Sequence, residues 1–61
     1  MEKKTKQLVV GDMVRNILNG NYYPFESVRK SGAGYIVTLV PASLDGNTYY
    51  ADYNDRHVVQ A

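Results

Sequence analysis

Sixty-one residues make a single domain, close to the lower size limit for a chain that folds alone. The chain has no cysteine and one histidine, so disulfides and thiolate zinc sites are excluded and a histidine-based metal site is disfavoured. Residues 1–30 carry six Lys or Arg and three acidic side chains, whereas residues 31–61 carry one and three, so the charge is polarised rather than uniformly basic.

No apolar run approaches the roughly 20 residues that a membrane-spanning helix needs. The apolar stretch that follows the charged N-terminus covers only residues 8–10, which is too short for the core of a signal peptide. We therefore expect a soluble protein without a membrane partner, and the lack of cysteine favours the cytoplasm.

The first third of the chain predicts a tail followed by two strands. Residues 1–7 are rich in charge, which indicates a flexible basic tail. Residues 8–10 and 13–18 are rich in apolar and β-branched types and predict short strands, separated by a turn at Gly11-Asp12. Asn19-Gly20 then predicts a hairpin turn, because both residue types tolerate positive φ.

The remainder of the chain predicts further strands separated by tight turns. Every residue between Tyr35 and Val40 favours a strand, and this run is too short for a typical helix. The Asp45-Gly46 pair predicts a turn before the next strand. The predicted strands of this part cover residues 22–30, 35–40, 48–53 and 56–60.

The spacing of strands and turns predicts an all-β fold. No segment has the sustained apolar period of an amphipathic helix. Five or six short strands in so small a chain imply a single antiparallel barrel over residues 8–61, because a flat sheet would leave long exposed edges. Alternation along the strands predicts the core residues Val14, Val28, Tyr35, Val37, Leu39 and Val58.

Three motifs carry a resemblance to a known class of barrel. They are Gly11-Asp12-x-Val14 at the first barrel strand, Phe25-x-x-Val28 in the second and Gly34-Tyr35-x-Val37-x-Leu39 in the third. Their order resembles that of the Src-homology-3-like small barrels, especially the Tudor and KOW branches. The resemblance implies a five- to six-stranded antiparallel barrel that acts by binding.

Nothing in the chain has the pattern of a catalytic site. Nucleophilic catalysis needs a nucleophile, a base and an orienting group within hydrogen-bond reach. The only histidine, His57, lies in the last predicted strand, and no serine has the context of a nucleophile elbow. Most acidic residues lie in or beside predicted turns, where Asp serves local backbone hydrogen bonding. We therefore expect a protein that is not an enzyme and that uses no cofactor or metal ion.

Nucleic acid is the first candidate ligand. Aromatic rings stack on bases and cationic side chains neutralise phosphates, and the resemblance to KOW barrels implies the same class of ligand. Binding is expected to be weak and without sequence specificity, because the total charge is low. The residues that we assign to this surface are Lys3, Lys4, Lys6, Arg15, Tyr22, Tyr23, Arg29 and Lys30.

A protein or peptide is the alternative ligand. The resemblance to Tudor domains implies an aromatic cage for a cationic side chain, which rings and carboxylates together attract. The residues with this chemistry are Tyr49, Tyr50, Asp52, Tyr53 and Asp55. The same surface also suits a larger protein, as in bacterial or phage accessory proteins. A second copy of the chain is a further option, so the protein is expected to be a monomer or a homodimer through a strand edge.

Overall fold

The computed structural model describes all residues from Met1 to Ala61 and is all-β, without an α-helix. No helix in it is long and apolar enough to cross a membrane. One short 3-10 turn, Thr5–Gln7, lies between the first two strands. The strands are β1 (Glu2–Lys4), β2 (Met13–Arg15), β3 (Tyr22–Ser31), β4 (Gly34–Leu39), β5 (Thr48–Ala51) and β6 (Arg56–Val58).

The strands form two antiparallel sheets that join into a curled half-barrel. One sheet has the order β2-β3-β4-β5, and the other pairs β1 with β6. A bridge between Val14 and Val59 links them, supported by a 2.8 Å hydrogen bond from the Gln60 N–H to the Met13 carbonyl. β5 and β6 do not pair with each other. We call the gap between them, bordered by Tyr50 on β5 and Arg56 on β6, the seam.

Residues 1–7 are not a flexible tail in this structure. β1 pairs with β6 along its whole length, with Lys3 opposite His57, and Thr5 is 1% exposed. The Thr5 N–H donates to the Asp55 carbonyl, which continues the pairing beyond β1. Lysine is compatible with this position because its methylene stem packs along the protein while its amine stays in water. The basic composition of residues 1–7 therefore gave no indication that residues 2–4 form a strand.

The predicted strands around the first turn are also shorter than expected. Residues 8–10 are not a strand, and β2 ends at Arg15. The Asn16 side-chain carbonyl accepts hydrogen bonds from the backbone N–H groups of Leu18 and Asn19, at 2.7 and 3.2 Å. These bonds fold residues 17–19 into a turn, because an Asn side chain offers the backbone an alternative to the sheet.

The core is a cluster of seven buried apolar side chains. Val14, Val37 and Leu39 are fully buried, which confirms these predictions, and Val28 packs against the cluster while half-buried. Tyr35 and Val58 are only half-buried, so their assignment to the core was wrong. The cluster consists of Leu8, Val14, Phe25, Val37, Leu39, Ala51 and Val59.

Two buried asparagines, Asn16 and Asn47, form what we call the asparagine cluster. Both are completely buried, and the Asn16 Nδ2 donates to the Asn47 Oδ1 at 2.9 Å and to the Asp45 carbonyl at 2.8 Å. The Asn47 Nδ2 donates to the Pro41 carbonyl at 3.0 Å. Gly46, at φ +89°, completes the predicted turn, and a Cβ there would lie 2.6 Å from the Asn16 Oδ1. The cluster therefore ties the β2–β3 turn to the loop before β5.

Candidate functional site

The inner side of the seam is closed by His57, Thr5 and Tyr49, which we call the histidine cluster. His57 is 6% exposed, and its Nε2 and Nδ1 lie 2.8 Å from the Thr5 Oγ1 and the Tyr49 hydroxyl respectively. The Thr5 hydroxyl donates its own proton to the Asp52 carbonyl at 2.9 Å, so it must accept one from His57 Nε2–H. In a neutral imidazole Nδ1 is then the acceptor, and Tyr49 donates to it. These contacts fit a neutral imidazole with the proton on Nε2.

Burial shifts both titratable groups of the histidine cluster towards their neutral forms. It lowers the pKa of His57, and the Asp55 carboxylate opposes this effect more weakly. Burial also raises the pKa of Tyr49 to about 12, with a smaller contribution in the same direction from Asp55. Each polar side-chain atom of the cluster has a hydrogen-bond partner. The bond between Tyr49 and His57 connects β5 to β6.

A pocket of about 260 Å³ opens on the outer side of the seam. His57 and Tyr49 belong to its lining. Its lining also includes Arg15 from β2, Arg56 from β6 and Tyr50 from β5. The pocket is therefore lined by two cationic residues and a tyrosine that come from three different strands.

The Tyr50 ring is exposed but held in place. Tyr50 is 56% exposed, yet its ring lies directly over Gly34 on the neighbouring strand β4. A Cβ at Gly34 would lie 2.5 Å from the Tyr50 Cζ and 2.9 Å from the Ala51 carbonyl oxygen. Only glycine leaves room for this ring, because real Cβ atoms do not approach other atoms so closely. The Tyr50 ring therefore leans across β4, on the side of β5 away from β6, and is exposed on the outer face.

Most cationic side chains have no carboxylate partner. Lys3 Nζ lies 2.9 Å from an Asp12 carboxylate oxygen, and this is the only ion pair in the structure. The backbone N–H of Val9 and, second, the Lys3 amine lower the pKa of Asp12. Lys6 Nζ lies 5.2 Å from the centre of the Tyr53 ring. The cations without an ion pair are Lys4, Lys6, Arg15, Arg29, Lys30 and Arg56.

The structure directs part of the predicted nucleic-acid set away from the core. We call the surface that points away from the core the outer face. Arg15 pairs with Tyr22, and Lys4 pairs with Arg56, at positions that alternate with buried residues and therefore point outward. Arg29 lies opposite Ile36, which in turn pairs with Tyr50, so these three form a row on the same face.

Other members of the predicted set point elsewhere. Tyr23 packs against the core, and its hydroxyl accepts a 3.1 Å hydrogen bond from Asn19. Lys3 is engaged by Asp12, and Lys30 lies opposite Tyr35 near the far end of β3. These side chains do not join the surface around the seam.

The three tyrosines of the predicted cage have separate partners. Tyr49 binds His57, and Tyr50 lies over Gly34 on the outer face. Tyr53 packs at 6.0 Å from the Tyr35 ring, with Lys6 against its face. The two carboxylates lie in the connecting turn, where Asp55 accepts a 2.9 Å hydrogen bond from the Asp52 N–H. Tyr49, Tyr50 and Asp55 contribute to the lining of the seam pocket, whereas Tyr53 and Asp52 do not.

Sequence reasoning missed Arg56 and did not associate Tyr50 with the cations. The usable signal was the alternation Arg56-His57-Val58, which puts Arg56 and Val58 on one face of β6. The approach of β6 to β2 had no local signal, because it depends on the curl of the sheets.

No group of three or more His, Cys, Asp or Glu side chains is arranged to hold a metal ion. Comparison of the chain with protein-family models, with curated proteins and with solved structures gives no match.

Proposed function

We propose that this protein is a non-enzymatic, cytoplasmic module that binds single-stranded nucleic acid weakly and without sequence specificity. The fold in this proposal is a small Src-homology-3-like barrel of the Tudor and KOW type. The observation that carries it is the surface around the seam, where Arg15, Arg56 and Tyr50 line one pocket, Lys4 pairs with Arg56, and none of the three cations has a carboxylate partner.

Unpaired cations favour a polyanionic ligand for a simple reason. A guanidinium that already binds a carboxylate must give up that contact before it binds a phosphate. Arg15 and Arg56 have no such contact, so their charge is available to phosphates. Aromatic stacking adds about 1–3 kcal/mol per base and tolerates any sequence. The same chemistry explains the expected lack of specificity, since stacking and phosphate contacts carry little sequence information.

The test is a titration of the protein with short single-stranded and duplex oligonucleotides at two salt concentrations, followed by amide chemical shifts. We expect single-stranded Kd values weaker than about 10 µM, with a salt slope of about 0.7 per phosphate contact. Duplex binding should be weaker, because stacking on Tyr50 requires exposed bases. An absence of shifts at low salt would overturn the proposal.

A double variant localises the surface. Arg15→Gln with Arg56→Gln should weaken binding and reduce the salt slope by about 1.4, which corresponds to two contacts. The matched control is Lys30→Gln, which removes a cation from a position opposite Tyr35, away from the seam. An equal effect of the control would mean that total charge, rather than this surface, determines binding.

One observation favours the alternative of protein binding. The Leu39 N–H donates to the Asn47 carbonyl at 2.7 Å, so alternation directs the backbone groups of Thr48 and Tyr50 to the unpaired edge of β5. An extended segment of another protein, or of a second copy, adds a strand at such an edge. Sedimentation of the protein over a range of concentrations tests the homodimer, and a constant monomer mass would reject it.

A further inference from the structure

We propose that the seam is a docking site for an extended acidic segment of another protein, which adds a strand to the free edge of β5. Such docking goes beyond nucleic-acid binding and gives the alternative of protein binding a defined place and a partner of stated chemistry. Its basis is the combination of open backbone groups and unpaired cationic residues at the borders of the seam.

The backbone of β5 is paired on one side only. In an antiparallel pair, successive residues bond alternately to the partner strand and away from it. The Leu39 N–H donates to the Asn47 carbonyl, so the N–H and C=O groups of Thr48 and Tyr50 point away from β4. None of the backbone hydrogen bonds outside the sheets involves either residue. Both residues therefore offer an N–H and a C=O to an added strand.

β6 has open backbone groups at the other border of the seam. The Thr5 N–H donates to the Asp55 carbonyl and the Val59 N–H donates to the Met1 carbonyl, so residues 55 and 59 bond towards β1. Alternation directs the backbone groups of Arg56 away from β1. No backbone hydrogen bond outside the sheets involves Arg56. The backbone is thus open to a partner on both borders of the seam.

The free edge of β1 is protected, in contrast to that of β5. The Lys4 N–H, which points away from β6, donates to the Gln7 Oε1 at 2.8 Å. Proteins commonly protect exposed strand edges in this way, with covering groups and charge. On β5, no side chain bonds to the backbone of Thr48 or Tyr50, and only the Asp52 N–H beyond the strand has a side-chain acceptor. The fold therefore leaves one edge available, and it is the edge at the seam.

The side chains around this edge favour an acidic partner. Arg15 and Arg56 both line the seam pocket, and neither has a carboxylate within ion-pair distance. The one acidic residue of the lining, Asp55, already accepts a hydrogen bond from the Asp52 N–H. Side chains on one face of an extended segment recur about every 7 Å, so two carboxylates can pair with the two arginines separately. An acidic segment thus complements the excess positive charge of the lining.

The inner side of the seam restricts the other face of the partner. The Tyr49 hydroxyl and the His57 Nδ1 are 2.8 Å apart, so these two side chains bridge β5 and β6 there. A large inward side chain of an added strand would collide with this bridge, whereas a small one would not. Because strand residues alternate between faces, we expect a partner in which small residues alternate with Asp or Glu.

The experiment adds synthetic peptides to the intact chain and follows amide chemical shifts and hydrogen exchange. The probe is a peptide of alternating Ser and Glu, about six residues long, which is the usual length of a strand. We expect it to shift the amides of Thr48, Tyr50 and Arg56 and to slow the exchange of the Thr48 and Tyr50 N–H groups. A peptide of alternating Ser and Gln should bind at least about tenfold more weakly, because it lacks the charge.

Two further comparisons separate strand addition from simple charge attraction. The same Ser and Glu peptide with every backbone nitrogen methylated keeps its charge but donates no backbone hydrogen bond, so it should not slow amide exchange. Arg56→Gln should weaken binding about tenfold, whereas the control Arg29→Gln should not, because Arg29 lies outside the pocket lining. Both arginines are exposed, and an unchanged amide spectrum without peptide verifies the fold.

Each outcome has a defined consequence. An acidic peptide that causes no shifts, that binds equally well when methylated, or that responds equally to both arginine variants would overturn the docking site. Shifts of the Thr48 and Tyr50 amides with protein concentration alone would assign the edge to a second copy of the chain and would also overturn it. Oligonucleotides, added in a separate titration, test the proposed function. Their binding without peptide binding leaves that function standing, and peptide binding without oligonucleotide binding leaves only the docking site.

Discussion

The fold contains two buried polar clusters that differ in one respect, the ability to titrate near neutral pH. The asparagine cluster ties the β2–β3 turn to the loop before β5 through amide hydrogen bonds alone. The histidine cluster ties the 3-10 turn, β5 and β6 together at the seam through an imidazole and two hydroxyls. No buried side-chain nitrogen or oxygen in the structure lacks a partner, so both clusters are fully satisfied.

The comparison shows how buried hydrogen bonds supplement a small apolar core. Seven apolar residues are buried, and the chain has no disulfide to assist them. Buried polar clusters contribute when every member is paired, and they cost stability when one partner is removed. The amide cluster keeps its protons at any ordinary pH. The histidine cluster, in contrast, depends on a neutral imidazole, and His57 and Tyr49 belong to the lining of the seam pocket.

The largest expected effect is that of Asn16→Ala. This change removes the four hydrogen bonds of a completely buried amide and leaves the N–H groups of Leu18 and Asn19 without that acceptor. Each unpaired buried group costs about 1–3 kcal/mol, so we expect a loss of about 3 kcal/mol or more in the free energy of unfolding. Urea unfolding measures it, and the loss should be the same at neutral and mildly acidic pH.

The matched control for this prediction is Asn19→Ala. Asn19 is exposed and lies in the same turn, where its side chain accepts one hydrogen bond from the Asn21 N–H and donates one to Tyr23. Its loss should cost about 1 kcal/mol or less. Equal losses for the two variants would show that the asparagine cluster contributes no more than an ordinary surface turn.

The second expected effect is a loss of stability in mild acid. Because burial holds the pKa of folded His57 below its ordinary value of 6.5, the unfolded chain takes up a proton first as the pH falls. The contribution of neutral His57 is therefore complete above about pH 6.5 and is lost as the pH falls towards the folded-state pKa. The slope is at most about 1.4 kcal/mol per pH unit for one proton.

The control for the acid effect is His57→Gln. Glutamine supplies one donor and one acceptor but does not titrate in this range. The variant should be less stable at neutral pH, yet its free energy of unfolding should stay flat between about pH 7 and about pH 5. Parallel losses in both proteins over this interval would mean that another group, and not His57, causes the acid effect.

Local patterns in the sequence predicted much of the fold. The Asn19-Gly20 and Asp45-Gly46 turns lie where expected, with positive φ at both glycines. The strand predicted over residues 35–40 corresponds to β4, which covers Gly34–Leu39, and the buried positions Val37 and Leu39 followed from simple alternation. These features depend on a few neighbouring residues, which is why one sequence is sufficient to find them.

The errors occurred where a residue depends on distant partners. Adjacent Val58 and Val59 give no alternation, so only the bridge from Val59 to Val14 decides which of them is buried. Thr5 and His57 are 52 residues apart, and nothing near either of them predicts their hydrogen bond. The convergence of Arg15, Tyr50 and Arg56 has the same origin, since it requires the full curl of the sheets.

The smallest expected effect concerns the ion pair between Lys3 and Asp12, which, unlike the two buried clusters, is partly exposed to water. Lys3→Gln should lower the free energy of unfolding by only about 0.5 kcal/mol, because a partly exposed ion pair is screened by water. The hydrogen bond from the Val9 N–H is the largest single cause of the lowered pKa of Asp12 and remains in the variant, so the Asp12 carboxyl should still titrate below its ordinary value of 3.8. Carboxyl carbon shifts followed through an acid titration measure this directly. A return of the Asp12 pKa to its ordinary value would assign the shift to Lys3, and residues 1–7 would then be attached to the rest of the fold by charge as well as by strand pairing.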